Sequence, residues 1–204
     1  MLRKITALLL ALLIALTCVS ALAEETVVTY THPHLGYSFD YPSYMTVLDA
    51  ETIDSIIDMM VSGEFDAIDF DYASIQAQIE AFDIVNMTDM STGNNITVLG
   101  APLGVGIPLD AQLLASAVLP ATVEAYKASL PGCEVLDEGS VCTFGDNEYA
   151  RMTLTYAPFG TTLHMDMYYF DVDDTLYTVT FAFDTGETPA DLLEMVLGTF
   201  AFGA

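Results

Sequence analysis

Positive charge is almost missing from this sequence. Of 204 residues, four are Lys or Arg and 29 are Asp or Glu, for a formal net charge of −25. Arg3 and Lys4 stand at the very start, so from residue 24 onward only Lys127 and Arg151 are basic. Such a chain has almost nothing with which to neutralise phosphates, which disfavours nucleic-acid binding and attachment to anionic membranes. Tryptophan is absent, and histidine and cysteine number three each. Gly-x-Ser-x-Gly, His-Glu-x-x-His and P-loop patterns are missing too, which removes the commonest hydrolase, metalloprotease and nucleotide-binding signatures. There is no internal repeat and no long linker.

The N-terminus has the three parts of a secretory signal. Arg3 and Lys4 precede an apolar run from Ile5 to about Val19, and Ala21-Leu22-Ala23 stands before Glu24-Glu25. This order of basic, apolar and small-residue segments predicts export with cleavage after Ala23. Lipid attachment at Cys18 is the minor alternative, since Leu16 and Thr17 stand where a lipoprotein box wants small residues. The remainder, 24–204, has the length of one domain, and no later run is long and apolar enough to span a bilayer. The expected location is extracellular or in the cell envelope.

Cys133 and Cys142 are the cysteines left after cleavage. An even pair in an exported chain suggests a disulfide. A tight turn at Asp137-Glu138 would set the two opposite each other across a hairpin. A redox pair and two free thiols are the other possibilities.

The pattern along the domain is mixed. Residues 24–34 read as a loosely held lead-in, followed by a strand over Tyr37–Tyr41 and a partner strand over Tyr44–Leu48. Amphipathic helices are expected over about 50–62, capped by Asp49, and about 72–82. Strands at 83–88 and 95–99 flank the turn signal Ser91-Thr92-Gly93-Asn94. An Ala/Leu-rich helix fills 109–129, kinked or restarted at Pro120. From Cys133 onward period-two alternation predicts an antiparallel meander, with Met152, Leu154 and Tyr156 against Arg151, Thr153 and Thr155, and Leu163, Met165, Met167 and Tyr169 against His164, Asp166 and Tyr168. Gly145-Asp146-Asn147, Pro158-Phe159-Gly160 and Asp171–Asp174 read as its turns. A last helix opens with Thr188 as N-cap and Pro189 in its first turn. The fold class is α+β: a central antiparallel β-sheet flanked by helices.

Few residues carry candidate chemistry. His164 and Asp166 share a strand face, but no nucleophile is placed with them, so the pair reads as part of a sheet surface. His32-Pro33-His34 has the spacing of a transition-metal chelate without a third ligand. Asp66, Asp69 and Asp71, and Asp171, Asp173 and Asp174, offer hard oxygens for calcium without EF-hand spacing. Gly104-Val105-Gly106 partly matches a dinucleotide-binding turn but lacks the third glycine and a parallel βαβ unit, which makes it a loop. Asn86-Met87-Thr88 and Asn95-Ile96-Thr97 match the glycosylation pattern, which the bacterial look of the signal leaves unused.

Three segments together resemble the PsbP-like proteins and their bacterial relatives. They are Leu35-Gly36-Tyr37-Ser38-Phe39-Asp40-Tyr41-Pro42-Ser43, then Gly145-Asp146-Asn147-Glu148-Tyr149-Ala150, and then Asp174-Thr175-Leu176-Tyr177-Thr178-Val179-Thr180-Phe181 with the helix and Thr199-Phe200 after it. The likeness follows the order and spacing of most of the chain after the signal. It implies an α/β/α sandwich and, because that fold hosts mostly accessory and binding proteins, a non-catalytic role. The expected function is therefore an exported binding or accessory protein for a protein or small-molecule ligand, with no cofactor. An extracellular calcium-binding protein using the acidic surface is the alternative.

Overall fold

The computed structural model describes residues 26–48, 83–130, 132–157, 162–184 and 186–203. The signal, the expected helices over 50–62 and 72–82, the turn at 158–160 and Asp66, Asp69 and Asp71 lie outside the described residues.

The described strands are β1 (Val27–Thr31), β2 (Tyr37–Pro42), β3 (Thr46–Leu48), β4 (Asp83–Thr88), β5 (Asn95–Pro102), β6 (Glu134–Phe144), β7 (Asn147–Tyr156), β8 (Leu163–Val172), β9 (Thr175–Phe183) and β10 (Ala201–Phe202). They form a seven-stranded sheet in the order β3-β4-β5-β9-β8-β7-β6 and a three-stranded sheet in the order β1-β2-β10. Every pairing is antiparallel. The meander is thus present, joined by two-residue turns at Gly145-Asp146 and at Asp173-Asp174. Gly145, Asp173 and Asp174 all take positive φ there, and in the Asp173-Asp174 turn both central residues do, as a primed hairpin turn requires.

Where β7 and β8 run, described residues pack against both faces of the large sheet. On one face Ala150, Met152, Leu154, Met167 and Tyr169 pack on Leu114, Ala115, Leu119 and Val123. Those four come from a continuous helical run: α1 (Ala111–Leu113), a π-helical stretch (Leu114–Val118) and α2 (Leu119–Ser129). Asp110 caps its start, accepting from the Leu113 N–H at 2.7 Å. Pro120 falls in the first turn of α2. Lacking an N–H, it cannot bond back into an unbroken α-helix, and the wider π turn stands immediately before it. On the other face Tyr149, Tyr168, Val179, Phe181, Ile96 and Val85 meet Tyr37 and Phe39 of the small sheet and Leu192, Val196 and Leu197 of α3 (Ala190–Gly198). Aromatic rings dominate here; Phe200 stacks 5.3 Å from Phe39 and 5.2 Å from Tyr37.

Several expectations are corrected. Residues 27–31 are not a loose lead-in, because β1 pairs along its whole length with β2. The partner of β2 is therefore β1, and β3 instead pairs with β4 in the large sheet. The Cys133–Cys142 disulfide is not formed, and both thiols are free. Instead of a hairpin, β6 runs on from Glu134 to Phe144. At about 3.3 Å per residue the two cysteines lie on the order of 25–30 Å apart, far beyond the roughly 7 Å that a bridge tolerates between Cα atoms. The turn chemistry at Asp137-Glu138-Gly139 is real but makes a bulge. Asp137 accepts from the Gly139 N–H and the Ser140 hydroxyl, and the register against β7 slips on both sides of Asp137. Gly139 sits at φ +149, where a Cβ would lie 2.8 Å from the Ala115 carbonyl oxygen.

Candidate functional site

Strand alternation brings one set of polar side chains to the aromatic face. Arg151 and Thr153 on β7 and His164, Asp166 and Tyr168 on β8 share it, with Thr153 directly opposite Asp166 and Thr155 opposite His164. Thr188 reaches the same place from the segment before α3. Asp166, only 1% exposed, is the centre. Its Oδ1 accepts from Arg151 Nη2 and Thr153 Oγ1, each at 2.8 Å, and its Oδ2 accepts from Thr188 Oγ1 at 2.8 Å. Nε2 of His164 stands 3.4 Å from Oδ2 without making a hydrogen bond.

Burial works against ionisation of Asp166, but the donors from Arg151, Thr153 and Thr188 prevail and hold its carboxyl below the usual range. Burial also opposes the Arg151 charge; the bond to Asp166 outweighs it and pushes the guanidinium pKa up. Burial, with the Asp166 charge beside it, raises the Tyr168 phenol. The Cys142 thiol is half-buried and pushed up to about 11, chiefly by burial, so little of it is thiolate near neutral pH. Both threonine hydroxyls give their protons to the carboxylate and not to His164. The cluster thus joins β7, β8 and the approach to α3 around one charge, and it does not line up a hydroxyl with a histidine base.

The sequence brought His164 and Asp166 together but placed them on a sheet surface; they are buried, at 8% and 1% exposure. It also assigned Thr188 to capping α3, whereas Pro189 takes that position with no side-chain cap bond and Thr188 is committed to Asp166. Arg151 and Thr153 were seen only as the polar half of a strand. What could have revealed them is the register: on a face that also carries Tyr149 and Tyr168, polar residues opposite Asp166 must serve it.

The remaining candidates hold loops in place. His32 is buried, and its Nδ1 accepts from the N–H groups of His34 and Leu35, closing the β1–β2 turn. The Asp171–Asp174 turn fastens the 103–109 loop. Asp174 accepts from the N–H groups of Val105 and Gly106 at 3.0 Å each through Oδ1, and Asp171 Oδ2 accepts from Leu109 at 2.8 Å. Within Gly104-Val105-Gly106, the Val105 and Gly106 amides that a nucleotide phosphate would need are therefore filled by the protein's own carboxylate. Asn86 is bonded to Thr97 and Thr88 within the β4–β5 ladder. Of the tyrosines, Tyr168 and Tyr177 are core residues and Tyr44 is exposed. Among the described residues, no group of three or more His, Cys, Asp or Glu is arranged to hold a metal, and no helix is long and apolar enough to cross a membrane.

Solved structures align with most of this chain. Cyanobacterial PsbP (CyanoP) from Synechocystis sp. PCC 6803 aligns at a TM-score of 0.55 with 14% identity, over 90% of this chain and 96% of that one. The Ran-binding protein Mog1p of Saccharomyces cerevisiae aligns at 0.48 with 10% identity, over 88% of this chain and 96% of its own. LpqN of Mycobacterium tuberculosis, involved in cell envelope biogenesis, aligns at 0.46 with 12% identity, over 89% and 93%. No family model and no curated protein matches the sequence. The likeness to CyanoP gives the chain a PsbP-like fold.

Proposed function

We propose that the chain, with its PsbP-like fold, is an exported non-catalytic binding or accessory protein built as an α/β/α sandwich. One observation supports this reading most: among the described residues, several side chains suited to chemistry are engaged in holding segments together. Asp166 collects Arg151, Thr153 and Thr188, His32 closes a turn, and Asp171 and Asp174 fasten a loop. Export rests on the Met1–Ala23 signal pattern. The mass of the protein recovered from the medium or envelope tests it, with an N-terminus at Glu24 expected and a lipid-modified Cys18 as the contrary result.

The functional reading is tested on the processed protein with a panel of ester, peptide and phosphate substrates. No turnover is expected, and His164→Ala should match the wild type. Turnover lost in His164→Ala would overturn it. A thermal melt with millimolar calcium, against sodium of equal ionic strength, addresses the cation-binding alternative. Equal gains mean general screening of self-repulsion; a larger gain with calcium means specific sites.

A further inference from the structure

The stretch from Ala101 to Leu109 has no polar side chain, in a chain with 29 acidic residues. It is also on the outside. Pro102 and residues 104–108 are all exposed, with Val105 at 51% and Ile107 at 58%. Isolated surface apolar side chains are ordinary, but a contiguous exposed run calls for a cause.

This run is held in shape. The Leu103 N–H donates to the Asp174 carbonyl at 2.8 Å, and Val105, Gly106 and Leu109 donate to the carboxylates of Asp174 and Asp171. Gly104 and Gly106 both take φ +66, a backbone that side chains rarely adopt. The tip therefore presents Val105 and Ile107 without an ordering cost on contact.

The charge around the tip has one sign. Asp110 and Asp173 are exposed beside it, over the half-buried Asp171 and Asp174. The two basic residues beyond the signal are engaged elsewhere, Lys127 with Glu124 and Glu138, and Arg151 with Asp166. A complementary surface must be apolar in the middle and positive at its edge.

We infer that the 103–109 loop is a docking point, with Val105 and Ile107 packing on an apolar strip flanked by Lys or Arg on a partner protein. This rests on the binding-protein reading and names the surface and the partner chemistry.

The test uses the processed full chain and a synthetic amphipathic helix with Leu on one face and Lys flanking it. Wild type should bind the peptide more weakly as salt rises. Ile107→Asp should weaken binding about tenfold, as loss of an apolar anchor does, although it adds a negative charge that would tighten a purely Coulombic attraction. Val105→Asp should act alike. Asp174→Gly, which keeps every apolar side chain and tolerates the positive φ, should weaken binding severalfold by loosening the loop. Unchanged melting of Ile107→Asp checks the fold. Equal or tighter peptide binding by Ile107→Asp would remove the loop from the interface while leaving a binding protein in place. Turnover in the substrate panel would instead remove the binding reading itself. Loop-dependent binding to zwitterionic phosphatidylcholine vesicles would overturn the inference in favour of a lipid surface. A concentration-dependent dimer lost in Ile107→Asp would overturn it in favour of a second copy.

Discussion

Asp166 and Asp174 fasten different segments to the same β8–β9 hairpin, by opposite means. Asp166 is buried and takes every hydrogen bond from side chains drawn from β7 and from the approach to α3. Asp174 is half-buried in the hairpin turn, and its carboxylate takes main-chain N–H groups of the 103–109 loop. The first joint depends on the identity of each partner, because an uncompensated buried charge is costly. The second depends only on backbone, so the loop is free to carry whatever side chains its function selects. Here those are apolar.

The comparison breaks most readily at Asp166. Asp166→Ala should cost about 3 kcal/mol in a urea melt, the lower end for breaking a buried pair because about a third of the Arg151 side chain stays in water. A loss no larger than that of an exposed carboxylate would erase the distinction. Acid sharpens it. Because the folded Asp166 pKa is depressed, its contribution is complete above the unfolded value of about 4 and is lost as pH falls through the folded one. Asp89 acts in the same direction; burial opposes its charge, but bonds from Ser91 and Thr92 in the β4–β5 turn lower its pKa. Stability should thus fall below about pH 4, and by less in Asp166→Asn, as followed by circular dichroism. Thr188→Val should cost about 1–2 kcal/mol, one bond to a charged acceptor with two donors left in place. The smallest effect belongs to Asp174→Gly: about 0.5 kcal/mol or less globally, with amide exchange at Val105 and Gly106 rising sharply in NMR. A large global loss there would mean that the loop joint also carries the fold.

The meander, its turns at Gly145-Asp146 and Asp171–Asp174 and an irregular helix around Pro120 were legible because each rests on local pattern: period-two alternation, turn residues, a missing N–H. The small sheet was not. β1 finds its partner in β2, but β3 pairs with β4, and no local pattern chooses between those partners. Cys133 and Cys142 misled because Asp137-Glu138-Gly139 has the residues of a turn, and a bulge uses the same side-chain-to-backbone bonds without reversing the chain. At the Asp166 cluster the strand pair was legible and Thr188 was not. A threonine before a proline-led helix reads as a cap, and only the tertiary approach of that segment to β8 gives its hydroxyl another acceptor.

The bulge in β6 has a consequence for solubility on storage and at high expression. β6 is the longer of the two outer strands of the seven-stranded sheet, a place where strand-by-strand polymerisation would begin. A flat outer strand offers an incoming chain a continuous row of amides; this one is bent out of register, with acidic side chains along it. Gly139 makes the bend possible by fitting under the Ala115 carbonyl. Replacing it with a β-branched residue would press the outer strand off its helix, and fibrous aggregation would be the form the damage takes.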